Sequence, residues 1–106
     1  MSESQTQAPI RAVAVLTANP GQEQELADYV LSTLPQIRQA EGLDAGEFSR
    51  SLTDAGKMVL YYWWRSAAAS ERYIAGPIYA KIGPALHRLV ADRILIVGEL
   101  QPAARR

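Results

Sequence analysis

The chain has 106 residues, the size of one small domain that can fold alone but buries only about two thirds of the surface that its unfolded chain exposes. Its 11 basic and 11 acidic residues cancel, and lysine and arginine form no cluster able to bind a row of phosphates, which argues against nucleic acid as a partner. Cysteine is absent, which rules out disulfides, thiolate metal sites and cysteine nucleophiles. We therefore expect a small globular protein of the reducing cytoplasm.

Both ends of the chain are polar. Residues 1–8 lack the basic region and apolar run of a secretory signal, so we expect a disordered N-terminal tail. A single domain over residues 9–101 and a C-terminal tail over residues 102–106 complete the predicted organisation. No apolar segment approaches the roughly 20 residues that span a bilayer, which argues against a membrane protein.

The first third of the chain predicts a strand and a helix. The aliphatic run Ile10–Thr17 is typical of a strand. Asn19 followed by Pro20 has the pattern of a helix cap with proline at the first helical position. The apolar residues that follow recur at helical spacing, at Leu26, Val30, Leu34 and Ile37. Gly42 is placed to end this helix.

A β-hairpin is predicted next. Leu43–Leu52 and Lys57–Trp64 are its strands, and Thr53–Lys57 carries the small and turn-forming residues of a hairpin loop. Alternation along the returning strand places its side chains on two faces, Met58, Leu60, Tyr62 and Trp64 on one and Val59, Tyr61 and Trp63 on the other.

The remainder predicts a second helical region and a last strand. Ser66 can cap a short helix that extends to the neighbourhood of Ala75. The pair Gly76 and Pro77 interrupts this helix and restarts it. Arg93–Leu100 is rich in aliphatic residues and predicts the final strand.

The order strand, helix, strand, strand, helix, strand predicts an α+β, ferredoxin-like βαββαβ fold with a four-stranded antiparallel sheet and both helices on one face. In Val59–Trp64 and Ile94–Val97 the apolar residues do not alternate with polar ones, which indicates that both sheet faces are covered. Since the helices cover one face, we predict a homodimer through the other, with Tyr61 and Trp63 in the interface.

Four segments, NPGQEQE, QAEGL, LYYWWRS and IAGPIYAKI, follow one another in an order that resembles the antibiotic biosynthesis monooxygenase family. The resemblance covers nearly everything from Ile10 to Leu100. It implies a dimeric α+β barrel in which two sheets pack together, with a substrate cavity in each monomer between sheet and helices. Some members of the family are cofactor-free oxygenases of polyketide anthrones or quinols, and some bind and degrade haem.

The sequence departs from the haem-degrading members. Those members carry an Asn in the first strand, a Trp on the second helix and a His further along. At the matching places this chain has Ala14, Tyr73 and Gly83, which argues against haem degradation. Many members also have Glu at the position of Tyr62.

Resemblance and strand alternation together select the candidate site. Trp64, Tyr62 and Tyr73 are the predicted catalytic hydrogen-bond donors of the cavity, although aromatic residues in a central strand also commonly form ordinary core. His87, the only histidine, is the candidate general base, and a single histidine without ligating neighbours argues against a metal site. Substrate-binding residues are expected at Met58, Leu60, Phe48, Arg50 and Tyr79. Arg50 can equally lie at the solvent edge.

The sequence favours a cofactor-independent monooxygenase that uses O₂ on a planar phenolic, quinol or polyketide-type aromatic molecule, without a metal or other cofactor. A non-catalytic dimeric protein that binds a hydrophobic metabolite is the alternative. A haem-binding or haem-degrading protein is a weaker one.

Overall fold

The computed structural model describes residues 8–101, so the predicted tails lie almost entirely outside the described residues. The elements in chain order are β1 (Ile10–Ala18), α1 (Glu23–Ile37), β2 (Leu43–Arg50), β3 (Lys57–Trp64), α2 (Ala67–Ile74), α3 (Pro77–Arg88) and β4 (Val90–Glu99). The four strands form one antiparallel sheet in the order β2-β3-β1-β4. This confirms the ferredoxin-like α+β fold, with the second helical region divided into α2 and α3.

The turn between β1 and α1 differs from the prediction. The helix begins at Glu23, and Asn19 is not its cap. The Gln22 amide donates to the Asn19 carbonyl at 2.9 Å and Gly21 has φ +85°, an arrangement that matches a type II turn with Pro20 at its second position. The Asn19 side-chain amide instead donates to the Arg88 carbonyl at 2.8 Å. The predicted cap therefore joins this turn to the end of α3.

The loop after α1 also differs from the prediction. Gly42 does not end α1, which stops at Ile37. Gly42 has φ +86°, and a Cβ placed on it would overlap the Cβ of Ala69 in α2. A side chain is therefore excluded there for two reasons, the left-handed backbone and the close approach of α2. The prediction for Ser66 is confirmed, because its Oγ accepts a hydrogen bond from the Ala69 amide at 3.2 Å and caps α2.

The core lies between the helices and one face of the sheet. Along β1 every second residue is buried, from Ile10 to Ala18, and the residues between them are only partly buried. Leu26 of α1 and Met58 of β3 have no measurable exposure. This alternation is the period of two that a half-covered strand requires. We call the covered side the helix face and the other side the open face.

The edge strand β4 is covered on neither face. Ile94 and Ile96 lie on the open face, 53% and 62% exposed, opposite Val15 and Val13 of β1. Leu95, on the helix face, is also 47% exposed. The open face continues onto β3, where Tyr61 and Trp63 are 37% and 47% exposed, so a large apolar surface remains on the single chain. No helix within residues 8–101 is long and apolar enough to cross a membrane.

The two glycines with positive φ provide a matched test of this packing. We expect Gly42→Ala to lower the free energy of unfolding by about 2–4 kcal/mol, because backbone strain adds to the overlap with Ala69. Gly21→Ala should cost only about 1 kcal/mol, since a Cβ there meets nothing within 4 Å. Urea denaturation measures both.

A second substitution isolates the steric part of this cost. Ala69→Gly removes the atom that a new Cβ at position 42 would meet, so it should restore stability to Gly42→Ala and none to Gly21→Ala. Equal costs for the two alanine variants would contradict the close packing of the Gly42 loop on α2.

Candidate functional site

An apolar cavity of about 120 Å³ lies between the helix face of the sheet and the helices α2 and α3. Its aromatic wall consists of Tyr62, Trp64, Tyr73 and Tyr79. Its floor is formed by Ala12, Ala14 and Leu16 of β1, and its outer side by Arg93, Leu95 and Val97 of β4. Because β4 is not covered by a helix, the cavity opens toward solvent between that strand and Ile74 of α2, which is 53% exposed.

The floor is low because two positions of β1 carry alanine. Ala12 lies between Tyr62 on β3 and Val97 on β4, and Ala14 lies between Leu60 and Leu95. Both alanines are buried on the helix face. Larger residues at these central positions would fill the space under α2 and α3, so the small side chains create the cavity.

Three aromatic rings form a cluster at one end of the cavity. The ring centroids of Trp64 and Tyr73 are 5.3 Å apart, and Tyr62 lies 6.2 Å from Trp64 and 6.3 Å from Tyr73. Tyr79 extends the cluster, with its ring 5.6 Å from that of Tyr73. These separations lie within the range over which aromatic pairs attract each other. Strand alternation brings Tyr62 and Trp64 together, and α2, capped by Ser66, places Tyr73 against them.

The hydrogen-bonding groups of this cluster are unpaired in the part of the chain that the structure describes. Within the described residues, the hydroxyls of Tyr62 and Tyr73 and the indole N–H of Trp64 make no hydrogen bond, yet none of them is sealed from solvent. Trp64 is only 2% exposed, and it lines the cavity. The cavity is therefore suited to a ligand with a hydrogen-bond acceptor at this end.

The phenols of the cluster remain protonated at neutral pH. Burial raises the pKa of Tyr62 well above its usual range, and the neighbouring Tyr73 and Tyr79 add to the effect. Burial, and then Tyr79, raises the pKa of Tyr73 to about 12. Both groups can therefore donate a hydrogen bond to a negative oxygen, and neither can take a proton from a substrate.

The structure brings five of the nine predicted site residues to the cavity, namely Leu60, Tyr62, Trp64, Tyr73 and Tyr79. Three others are elsewhere. Met58 is fully buried in the core and is not part of the wall. Phe48 and Arg50 lie on β2, the strand farthest from β4, where they pair with Leu60 and Met58 of β3. β3 therefore separates Phe48 and Arg50 from the cavity. The Arg50 guanidinium contacts Gln24 and the Ala55 carbonyl, which ties the hairpin to α1.

His87 is also outside the cavity. It lies exposed in the last turn of α3 and borders a shallow depression with Ala91 and Asp92. The predicted general base is thus not placed against a molecule held by Trp64. The helical repeat explains this position. Two turns of an α-helix take about seven residues, so Leu86 follows Tyr79 on the same side of α3 and continues the wall of the cavity, whereas His87 lies one residue further around the helix.

Sequence reasoning missed the floor and the outer side of the cavity. The alternation in Ile10–Thr17 already places Ala12 and Ala14 on one face, and small residues in a central strand are a signal of available space. No sequence pattern indicates that Arg93, Leu95 and Val97 line the cavity, because only the strand order shows that β4 lies next to β1.

No group of three or more metal-ligating side chains occurs within residues 8–101. At Gly83, the position at which haem-degrading relatives are expected to carry histidine, even a Cβ would lie 3.2 Å from the ring of Tyr79. The backbone there is packed against an aromatic side chain, so any side chain at this position would require the Tyr79 ring to shift.

The fold and the aromatic cavity define a class, the small ferredoxin-like α+β proteins with a pocket between sheet and helices. The sequence model of the antibiotic biosynthesis monooxygenase family matches residues 9–83. The chain therefore belongs to the antibiotic biosynthesis monooxygenase family. A search of curated protein sequences gave no match.

Solved structures of low sequence identity share the fold. A conserved protein from Methanosarcina mazei is 17% identical with a TM-score of 0.81, over 92% of this chain and 98% of that one. A variant of SnoaB, a cofactor-independent oxygenase from Streptomyces nogalater, is 16% identical with a TM-score of 0.80, over 93% and 99% of the two chains. The protein PA3566 from Pseudomonas aeruginosa is 18% identical with a TM-score of 0.81, over 92% and 98%.

The raised pKa values predict a late tyrosine titration. We expect Tyr73→Phe to remove an ionisation step near pH 12, and Tyr62→Phe to remove one at still higher pH. Between about pH 10 and 12 the unfolded phenols lose their protons while the folded ones keep them, so stability falls as pH rises through this window. Tyrosinate absorbance, followed with circular dichroism to detect unfolding, measures both effects.

The control is Tyr61→Phe, which lies on the open face and should leave both late steps unchanged. Full ionisation of all tyrosines near pH 10 in protein that circular dichroism shows to be folded would contradict the burial of the cluster.

Proposed function

We propose that this protein is a cofactor-independent monooxygenase that acts on a planar phenolic or quinol-like aromatic substrate with O₂. The observation that carries the proposal is the cluster of Trp64, Tyr62 and Tyr73 in the wall of an apolar cavity, whose indole N–H and two protonated hydroxyls make no hydrogen bond within the described residues. Membership of the antibiotic biosynthesis monooxygenase family supports this activity. The structural similarity to SnoaB, a cofactor-independent oxygenase, is consistent with it.

The chemistry requires stabilisation of one negative oxygen. Loss of a proton from the ring-activated carbon or phenol of the substrate leaves a delocalised anion whose charge rests largely on the ring oxygen. Trp64, Tyr62 and Tyr73 donate hydrogen bonds to that oxygen from an apolar site, where such bonds are stronger than in water. The anion then transfers electrons to O₂, a carbon–oxygen bond forms, and the peroxide anion takes a proton from water. The resulting hydroperoxide loses water and leaves a carbonyl, so the substrate itself supplies both electrons.

The side chains of the cavity wall cannot accept the proton that the substrate loses. The titratable groups that line the cavity are tyrosines and Arg93, and at neutral pH none of these accepts a proton. We infer that the substrate ionises to water through the opening beside β4, or enters already ionised. The lack of a base in the wall also favours the second candidate function, a non-catalytic protein that binds a hydrophobic aromatic metabolite.

Oxygen uptake distinguishes the two functions. With an anthrone or a substituted hydroquinone as substrate, we expect Trp64→Phe to lower the rate of O₂ uptake by about 100-fold, because it removes one donor from the negative oxygen. Tyr73→Phe should lower it in the same direction. An oxygen electrode measures the rate, and quinone absorbance identifies the product.

The matched control is Trp63→Phe, the same substitution one residue away on the open face. It should leave the rate within a few-fold of the wild-type value. Tight binding of the aromatic compound without O₂ uptake for any member of the panel would reject the monooxygenase and leave the binding protein.

We further propose that the protein is a homodimer through the open face. Val13, Val15, Ile94 and Ile96 form a continuous apolar surface there, beside Trp63. The Arg11 guanidinium lies 4.8 Å from the centroid of the Trp63 ring and holds its indole at the end of that surface. A second copy presents the same flat, uncharged centre, and sheet packing on sheet would close the barrel that the family resemblance implies.

Two equally exposed aliphatic residues test the dimer. Ile94 is 53% exposed on the open face, and Leu31 is 55% exposed on α1. We expect Ile94→Glu to convert a dimer into monomers at micromolar concentration, because it places a charge in the interface. Leu31→Glu should leave the mass unchanged. Sedimentation of a monomeric wild-type protein, or loss of the dimer in both variants, would contradict the proposed interface.

A further inference from the structure

The cavity is polar at one end and positively charged at the other. Trp64 pairs with Ile10 of β1 and Tyr62 with Ala12, which places the hydrogen-bond donors near the start of β1. Arg93 pairs with Leu16, four residues beyond Ala12 on the same strand. Since a strand rises about 3.3 Å per residue, the Tyr62 and Arg93 positions are about 13 Å apart along the strand direction, and they lie on opposite sides of β1.

The surface between the two ends is apolar. It is formed by Ala14, by its two neighbours across the sheet, Leu60 and Leu95, and by Val97. The cavity volume of about 120 Å³ is close to the roughly 150 Å³ of a cavity known to hold one benzene ring in another protein, so a single ring fills it. A substrate with more than one ring would therefore have to extend along the open groove beside β4.

Arg93 is available to a ligand. Within the described residues it makes no hydrogen bond and no ion pair, and its side chain is exposed at the cavity opening. Its acidic neighbour, Asp92, pairs with Thr17 and so belongs to the opposite face of the strand. His87 borders the shallow depression on the other side of Arg93 and carries no negative charge. Arg93 is thus a cation at the end of an apolar groove, and no carboxylate of residues 8–101 pairs with it.

We propose that the ligand of this cavity is an elongated aromatic acid. A phenolic ring occupies the enclosed end, with its oxygen at Trp64, Tyr62 and Tyr73, and an aliphatic tail follows the groove to a carboxylate at Arg93. The guanidinium fork binds a carboxylate through two parallel hydrogen bonds. The phenol at the donor end rests on the proposed function, whereas the carboxylate at Arg93 is a separate contact that binding alone can reveal.

Arg93 is then a specificity-determining residue that does not touch the reacting atoms. It lies on the helix face of β4, whereas the proposed dimer uses the open face, so its role does not depend on the dimer. Because it is exposed at the opening, its contact with a carboxylate is screened by solvent and contributes a moderate preference, about tenfold in affinity.

A series of ligands with different tail lengths tests this assignment. The probes are 2,5-dihydroxyphenyl derivatives of acetic, butanoic and hexanoic acid, each paired with its methyl ester, and calorimetry under anaerobic conditions measures binding without turnover. We expect the hexanoate to bind about tenfold more tightly than its ester, because its tail can span the groove. The acetate should bind no better than its ester.

Substitution of the arginine completes the test. Arg93→Gln should abolish the preference for the hexanoate and leave the affinity for the ester unchanged, and Arg93→Lys should keep part of the preference. Arg88→Gln, an exposed arginine in the last turn of α3, is the control and should behave as wild type. Equal binding of acid and ester by the wild type, or a loss of affinity for both in Arg93→Gln, would overturn the proposal.

The result is separate from that of the monooxygenase test. If the hexanoate binds through Arg93 but no quinol consumes O₂, the aromatic acid is a ligand of a binding protein and this inference holds while the enzyme is rejected. If neutral quinols are oxidised at the same kcat/KM as their acids, the enzyme stands and the role of Arg93 is wrong.

Discussion

The strict alternation of side chains along β3, held in register by β1, is the constraint on which the rest of the structure depends. It divides four consecutive aromatic residues between two environments. Tyr62 and Trp64 enter the cavity, and Tyr61 and Trp63 face the open side. A register slip of one residue would exchange the two sets and bury the wrong pair under the helices. The hydrogen bonds of both neighbouring strands fix that register, because β3 lies inside the sheet.

The helices over the cavity depend on this strand in turn. β3 ends at Trp64, and Ser66 caps α2 two residues later, so the start of α2 is tied to the aromatic end of the strand. Gly42 allows α2 to approach closely through Ala69, and the Arg65 amide donates to the Gly42 carbonyl at 2.8 Å. These contacts hold Tyr73 against Trp64. The position of Tyr73 therefore follows from contacts outside the cavity.

Much of this arrangement could be predicted from sequence, because it depends on local periodicity. Alternation gives the face of Tyr62 and Trp64, and the Ser66 cap gives the start of α2. Alternation does not show which strands are neighbours in the sheet, and so it does not show which residues of one face lie at the cavity. Phe48 shares a face with Leu60 but lies on β2, on the far side of β3 from the cavity, and no pattern within β2 shows this.

The other differences from prediction have the same origin. Arg93 becomes part of the cavity only because β4 pairs with β1, a contact between residues far apart in the chain. Asn19 has the local sequence of a helix cap, yet its side chain bonds to the Arg88 carbonyl, a tertiary contact that overrides the local preference. Strand order and long-range hydrogen bonds are properties of the folded chain, so single segments do not reveal them.

An apolar cavity works against the ionisation that the proposed chemistry needs. Burial raises the pKa of Tyr62 and Tyr73, and it would raise the pKa of a substrate phenol in the same space for the same reason. In the proposed complex, three hydrogen bonds to the substrate oxygen would offset this, since each favours the charged form. A substrate phenolate beside Tyr62 and Tyr73 would also raise the pKa values of both side chains further, so each tyrosine keeps its proton. The same desolvation that makes the tyrosines poor bases thus keeps them as donors while a substrate anion is present.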